Sequence, residues 1–103
     1  MIEAKIIPYQ LLVTGHAGYA EAGKDIVCAA VSVLTVTLAE KLREIEQLHG
    51  LRDPPIIRME DGQAEILCNP TEVAEPMVSL LFDTVRTGLS LVAEEYPEWM
   101  RLE

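Results

Sequence analysis

Residues 25–50 read DIVCAAVSVLTVTLAEKLREIEQLHG, and this stretch decides the fold. Its apolar side chains recur at steps of three and four, the period of one helix face: Val27, Val31, Leu34, Leu38, Leu42 and Ile45. Asp25 is a typical N-cap residue and Gly50 is typical of the position after a helix, so the pattern predicts a helix ending at His49. The segment VSVLTVT alternates like a strand, but 24 residues are too many for one strand.

The sequence before this helix indicates two short strands. Residues 2–7, IEAKII, alternate well enough for a strand, and we expect Pro8 to stop it or hold it at a sheet edge. Residues 11–16, LLVTGH, predict a second strand that ends near Gly15. Residues 17–24, AGYAEAGK, contain two glycines and small side chains, and therefore predict a mobile connection.

The sequence after the helix predicts a hairpin and a second helix. Two alternating runs, residues 56–60 and 63–68, flank Asp61-Gly62, a strong signal for a β-hairpin turn. Apolar residues at helical spacing then continue to about Tyr96, with Pro76 expected in the first turn of this helix.

These elements together predict one α/β (α+β) domain spanning residues 1–103. Residues 99–103, WMRLE, add a last short strand to the predicted set. Strands interleaved with two long helices indicate a two-layer sandwich, in which a small, mostly antiparallel sheet packs against both helices. The order of the strands stays open at this point.

Composition narrows the classes of partner. The net charge is −9, from 17 acidic against 8 basic residues, which argues against direct binding of nucleic acid. The longest nearly apolar stretch, Ile26 to Leu38, is interrupted by hydroxyl residues and is too short to span a bilayer, so no membrane partner is expected. Two cysteines forty positions apart make a poor disulfide framework and indicate a cytoplasmic protein in a reducing environment.

A histidine and a cysteine near the start of the helix are the candidate catalytic residues. With Asp25 as N-cap, Cys28 occupies the third helical position, where unpaired N–H groups and the helix dipole favour a thiolate. His16 ends the preceding strand and can fold back to take the thiol proton. The same N–H groups are expected to hold an oxyanion. Ser32 lies one turn after Cys28 and is expected to steady the sulfur or bind substrate.

The spacing of these residues alone does not exclude purely structural roles for them. A lone cysteine on an apolar helix is commonly a small buried side chain, and a histidine beside glycine is commonly a turn residue. Ser32 can bond back to the preceding turn, and Asp25 can serve only as the cap. The histidines and cysteines lack the short local spacing of a zinc site, and no phosphate-binding glycine motif is present, so neither metal nor cofactor is expected.

Residues 15–32, GHAGYAEAGKDIVCAAVS, resemble the signature of the ribosomal-processing cysteine protease family, Prp. The resemblance rests on a GHA element, a short variable loop, a DIVCAA helix start and a serine four positions after the cysteine. It implies Cys28 as nucleophile and His16 as base, with Asp25 and Ser32 supporting the site. Residues 17–24 would then be a gate over the cleft.

The resemblance also implies a biological role. Members are small cytosolic bacterial endopeptidases that work as homodimers and remove a short N-terminal extension from large-subunit ribosomal protein number twenty-seven. Within the gate, Gly18 and Gly23 would supply flexibility, and Tyr19 would contact apolar side chains of the substrate. Family members usually carry a longer first hairpin than the 14 residues that precede Gly15 here. A non-catalytic binding module for a ribosomal or phage protein, or a protease with another protein substrate, are the alternatives.

Overall fold

In a computed structural model that describes residues 1–103, five strands form one sheet and two helices cover one of its faces. The elements are β1 (Ile2–Ile7), β2 (Gln10–Thr14), α1 (Ile26–Gln47), β3 (Ile56–Glu60), β4 (Gln63–Leu67), α2 (Glu75–Glu95) and β5 (Met100–Leu102). The strand order is β3-β4-β2-β1-β5, and every pair is antiparallel except β1 with β5. The predicted α+β class, with its mostly antiparallel sheet, is confirmed.

The alternation along the first strands explains why only one sheet face is covered. In β1, Ile2, Ala4 and Ile6 are buried while the residues between them are exposed. Strand side chains alternate between faces, so these three side chains project from the same face. They join the inward residues of both helices in one hydrophobic core, which leaves the other sheet face open to solvent.

The first helix begins where the sequence predicts and ends two residues earlier. Asp25 is the N-cap, but α1 ends at Gln47. His49, not Gly50, takes the left-handed conformation with φ 61°. Gly50 instead donates its N–H to the carbonyl of Ile45 at 2.8 Å, and a Cβ there would meet the Ile45 side chain at 2.6 Å. The glycine is therefore needed for space rather than for a positive φ.

The remaining elements follow the predicted order with small shifts at their ends. The second strand starts at Gln10 and stops at Thr14, because Gly15 turns the chain away with φ 91°. The hairpin turns at Asp61-Gly62, as predicted. Pro76 lies in the first turn of α2, where its missing N–H costs no helical hydrogen bond. Neither helix is long and apolar enough to cross a membrane.

Candidate active site

The segment Gly15-His16-Ala17 leaves the sheet beside the β3–β4 turn, and its neighbours fix each position. Gly15 donates its N–H to the carbonyl of Gly62 at 2.8 Å. A Cβ on Gly15 would lie 2.3 Å from the carbonyl oxygen of Met1, so the backbone approach excludes any larger residue. Ala17 is buried in the core, which anchors the other side of His16.

The sulfur of Cys28 contacts this segment directly. The backbone N–H of Ala17 donates to Cys28 Sγ at 3.4 Å. This hydrogen bond joins the residue that follows His16 to the third residue of α1. The contact fixes the position of the sulfur beside the segment that carries His16.

Asp25 connects the start of α1 to the loop before it. Its Oδ1 accepts the N–H groups of Val27 and Cys28, both at 3.0 Å, and its Oδ2 accepts those of Tyr19 at 3.0 Å and Ala20 at 3.3 Å. These hydrogen bonds, the one from Cys28 first, lower the pKa of Asp25 below its ordinary value of 3.8. The carboxylate therefore stays ionised and holds residues 19–20 against the helix start.

The same contacts overturn one expectation about the helix terminus. The N–H groups of Val27 and Cys28 were expected to be free for an oxyanion, but Asp25 already accepts both. The N–H of Ala29 is bonded to the Asp25 carbonyl at 3.0 Å. The expectation is wrong because the N-cap carboxylate satisfies these donors and also offsets the positive end of the helix dipole.

Two adjoining cavities surround the thiol. One, of about 260 Å³, runs along α1 between Cys28 and the β3–β4 hairpin, with Val36 and Met59 among its apolar lining. The other, of about 580 Å³, lies under the loop that contains Gly18 and Gly23. Four residues line both cavities: His16, Cys28, Ser32 and Asp61. Asp25 lines the second.

Ser32 differs from the other hydroxyl residues of α1. Thr35 and Thr37 donate to carbonyls one turn back, at 2.8 and 2.6 Å. The Ser32 hydroxyl makes no such bond, although back-bonding is its ordinary role in a helix. It is exposed in the cleft, one turn from Cys28, and is therefore available to a bound molecule.

The loop that was expected to act as a gate is held by an aromatic contact. The ring of Tyr19 packs edge-to-face against Tyr96, with centroids 5.6 Å apart, and against Trp99 at 5.7 Å. Tyr19 does not line either cavity, so in this arrangement it anchors the loop to the end of α2 rather than facing the cleft. Gly18 and Gly23 have φ of 71° and 85° with open space around them.

Sequence reasoning placed Asp61 only in a turn and missed its position beside the histidine. Asp61 Oδ1 lies 3.6 Å from His16 Nε2. The pairing of β2 with β4 determines this position. It sets Thr14 opposite Gln63, and so brings His16, just after β2, close to Asp61, just before β4. That pairing joins distant segments of the chain, and no local pattern predicts it.

Comparisons with known proteins agree with this geometry over the whole chain. A family model described as cysteine protease Prp matches residues 1–101. The ribosomal processing cysteine protease Prp of Mycoplasma genitalium is 33% identical over 99 residues, covering 94% of this chain and 89% of that protein.

Solved structures give the same relationship. The essential ribosomal processing protease Prp from S. aureus, in complex with a covalently linked product peptide, superposes with a TM-score of 0.73 at 26% identity, covering 99% of this chain and 95% of that one. SMU.848 from Streptococcus mutans superposes with a TM-score of 0.69 at 31% identity, covering 100% and 92%. The similarity therefore extends over nearly the full length of each relative.

Proposed function

This chain belongs to the Prp family of cysteine proteases, and we propose that it removes a short N-terminal extension from a large-subunit ribosomal protein by means of a Cys28–His16 dyad. The observation that carries the proposal is the Ala17 N–H bond to Cys28 Sγ, which ties the residue next to His16 to the sulfur. The product peptide covalently linked to the S. aureus relative supports cleavage of a peptide at an equivalent cleft.

In the proposed reaction, Cys28 is the nucleophile and His16 moves its proton. The imidazole takes the thiol proton as the sulfur attacks the scissile carbonyl carbon, and a C–S bond forms. The tetrahedral adduct collapses, the C–N bond breaks, and His16 returns the proton to the leaving amine. Water then attacks the thioester while His16 accepts its proton. The C–S bond breaks, the sulfur recovers the proton, and the product leaves as a carboxylic acid that ionises in water.

The supporting residues are assigned different tasks in this proposal. Asp25 holds the loop and the helix start together through four backbone N–H groups. Ser32 offers its free hydroxyl to the bound peptide or to the developing oxyanion, because the helix N–H groups nearest the sulfur are occupied. Residues 17–24, including Gly18, Tyr19 and Gly23, form the gate through which the substrate enters.

We also propose that two copies of the chain associate through the outer helical face. This face consists of exposed apolar side chains on the side of α1 and α2 away from the sheet: Val33, Met77, Leu80 and Leu91. Contiguous exposed apolar patches commonly mark protein–protein contacts. Unpaired Cys28 and Cys68 suit the reducing cytoplasm, where ribosomal proteins are made.

Cleavage of a defined peptide tests the protease assignment. The probe is a synthetic peptide spanning the N-terminal extension and first residues of bacterial large-subunit ribosomal protein number twenty-seven, followed over time by mass spectrometry. The wild type and Cys68→Ala are expected to release a fragment, because Cys68 lies outside both cavities. Cys28→Ala and His16→Ala are expected to leave the peptide intact.

Two outcomes contradict the proposal. Equal cleavage by the wild type, Cys28→Ala and His16→Ala would remove the dyad from the mechanism. Retention of the intact peptide by the wild type, with no fragment and with the same affinity in Cys28→Ser, would instead indicate a binding role toward this ribosomal protein.

A further inference from the structure

The β3–β4 turn contributes a carboxylate to the site that the Prp signature does not contain. Asp61, in the two-residue turn, lies with its Oδ1 3.6 Å from His16 Nε2. It is one of the four residues that line both cavities beside the thiol. At this distance the contact is electrostatic rather than a hydrogen bond.

Backbone contacts, rather than chance side-chain placement, bring the two residues together. The Gly15 N–H bond to the Gly62 carbonyl fastens the end of β2 to the turn at 2.8 Å. Gly62 has φ 75°, and a Cβ on it would lie 2.9 Å from His16 Nε2. The imidazole therefore rests against the backbone of the turn, with the Asp61 carboxylate beside the same ring nitrogen.

We propose that Asp61 is a positioning residue that orients His16 and stabilises its charged form during turnover. This inference rests on the proposed dyad, because Asp61 acts only through His16. A carboxylate beside Nε2 favours the tautomer with its proton on that nitrogen, which leaves Nδ1 as the acceptor for the thiol proton. Once the imidazole has accepted that proton, the same carboxylate stabilises the imidazolium.

Exposure of the pair limits the size of the effect. The side chain of Asp61 is 97% exposed and that of His16 is 61% exposed, so water screens their attraction. A peptide bound in the cleft displaces part of that water and strengthens the attraction. We therefore expect removal of the charge to lower kcat by about fivefold, and not to abolish the activity.

Steady-state kinetics on the same ribosomal peptide test this role. Asp61→Asn is expected to lower kcat about fivefold while KM stays within about twofold, and Asp61→Glu is expected to recover at least half of the loss. Asp83→Asn, which removes the same charge from the exposed surface of α2, is expected to keep the wild-type kcat. Wild-type kcat in Asp61→Asn, or equal kcat in Asp61→Asn and Asp61→Glu, would overturn the proposal.

A second measurement does not need catalysis. Nitrogen-15 NMR of the histidine rings at pH 8.5 reports the ratio of neutral tautomers, and His49, exposed just beyond the C-terminal end of α1, is an internal reference. The ratio for His16 is expected to shift in Asp61→Asn, while that for His49 stays unchanged. An unchanged His16 ratio refutes the inference. A shifted ratio in a protein that cleaves no peptide supports the positioning contact and refutes the proposed function instead.

Discussion

Gly15 shows how a single position fixes the histidine beside the cleft. Its N–H is bonded to Gly62, its φ is 91°, and the Met1 carbonyl lies where a Cβ would go. A residue with a side chain must therefore move the first strand or the segment that carries His16. Local strain of this kind costs on the order of 1–3 kcal/mol.

We expect Gly15→Ala to lower the free energy of unfolding by about 3 kcal/mol, measured by urea denaturation. The matched control is Gly18→Ala, which also has a positive φ, 71°, but no atom within 4 Å of its added Cβ. For Gly18→Ala, the backbone strain of a positive φ alone predicts that the free energy of unfolding falls by about 1 kcal/mol. Equal losses in the two variants would show that the contact with Met1 is not the cause.

The two cysteines differ in environment, and this difference predicts their reactivity. Burial raises the pKa of the Cys68 thiol to about 11, so almost none of it is thiolate near neutral pH. Cys28 lines both cavities, so a reagent in the cleft can reach its sulfur. The alkylating agent reacts with the thiolate form, so the buried thiol with the raised pKa is expected to react last.

With iodoacetamide at pH 7.5, Cys28 is expected to be modified at least about tenfold faster than Cys68, as read by peptide mass spectrometry. Labelling of Cys68 should rise as the pH approaches its pKa of about 11. The Cys68→Ala variant, which leaves Cys28 as the only thiol, should reproduce the fast rate. Equal slow labelling of both thiols at pH 7.5 would indicate that Cys28 is a packing residue.

The site residues were predictable from sequence to the extent that they lie close along the chain. His16, Asp25, Cys28 and Ser32 fall within one segment of 18 residues, so their spacing and the helix start carried the information. Asp61 follows His16 by 45 positions and reaches it only through the pairing of β2 with β4. Predicting the role of Asp61 would have required the sheet register, which local sequence patterns do not specify.

At the level of elements, two different contacts of Tyr19 hold the loop before α1 in place. Asp25 accepts the backbone N–H of Tyr19, and the Tyr19 ring packs on Tyr96 and Trp99. Edge-to-face aromatic pairs contribute roughly 0.5–1.5 kcal/mol each beyond the area they bury. Together they favour the loop arrangement seen here, and we expect their loss to open the loop without unfolding the domain.

Limited proteolysis with trypsin measures this opening at Lys24, the basic residue within the loop. Tyr19→Ala is expected to speed cleavage after Lys24 by about tenfold, because two aromatic contacts are lost. Tyr19→Phe keeps both ring contacts and should be cleaved at the wild-type rate. If Tyr19→Ala instead speeds cleavage equally at every lysine, the aromatic contacts stabilise the whole fold and not the loop.

The ends of α1 illustrate which element boundaries a sequence can specify. The start was predictable, because an aspartate before the apolar repeat supplies the acceptor that the first N–H groups need. The end was not, because Gly50 indicated a helix that runs to His49, whereas His49 itself takes a left-handed conformation beyond the helix end. The glycine is required by the side chains of Ile45 and Ala74, which pack against it. A requirement that comes from tertiary packing of this kind leaves no pattern in the local sequence.

At the scale of the whole molecule, the strand order was the largest unpredicted feature. β1 and β2 form one hairpin and β3 and β4 another, but β2 pairs with β4 rather than β3, and β5 pairs in parallel with β1 across nearly the entire sequence. This pairing places Trp99 next to Ile2, whose N–H donates to the Trp99 carbonyl at 2.9 Å. This segment thereby supplies part of the surface on which the Tyr19 ring packs.

The outer helical face is the other feature that concerns the whole molecule. Leu80 and Leu91 are 64% and 61% exposed, and they lie on the surface of α2 opposite its buried residues Val78, Phe82, Val85 and Leu89. Leaving such side chains in water costs free energy that burial against a second copy recovers, at about 25 cal/mol per Å². Because both copies would offer the same patch, a two-fold symmetric dimer would bury each patch against the other.

Light scattering coupled to size-exclusion chromatography tests this arrangement. The wild type is expected at twice the chain mass of 11.4 kDa, and Leu80→Glu at the monomer mass, because a carboxylate within the patch is desolvated on association. The control is Leu48→Glu, which places the same charge at a leucine that is 76% exposed at the C-cap of α1, outside this face. That variant should remain dimeric. A monomeric wild type, or a Leu80→Glu protein that stays at twice the chain mass, would exclude the outer helical face as the contact between copies.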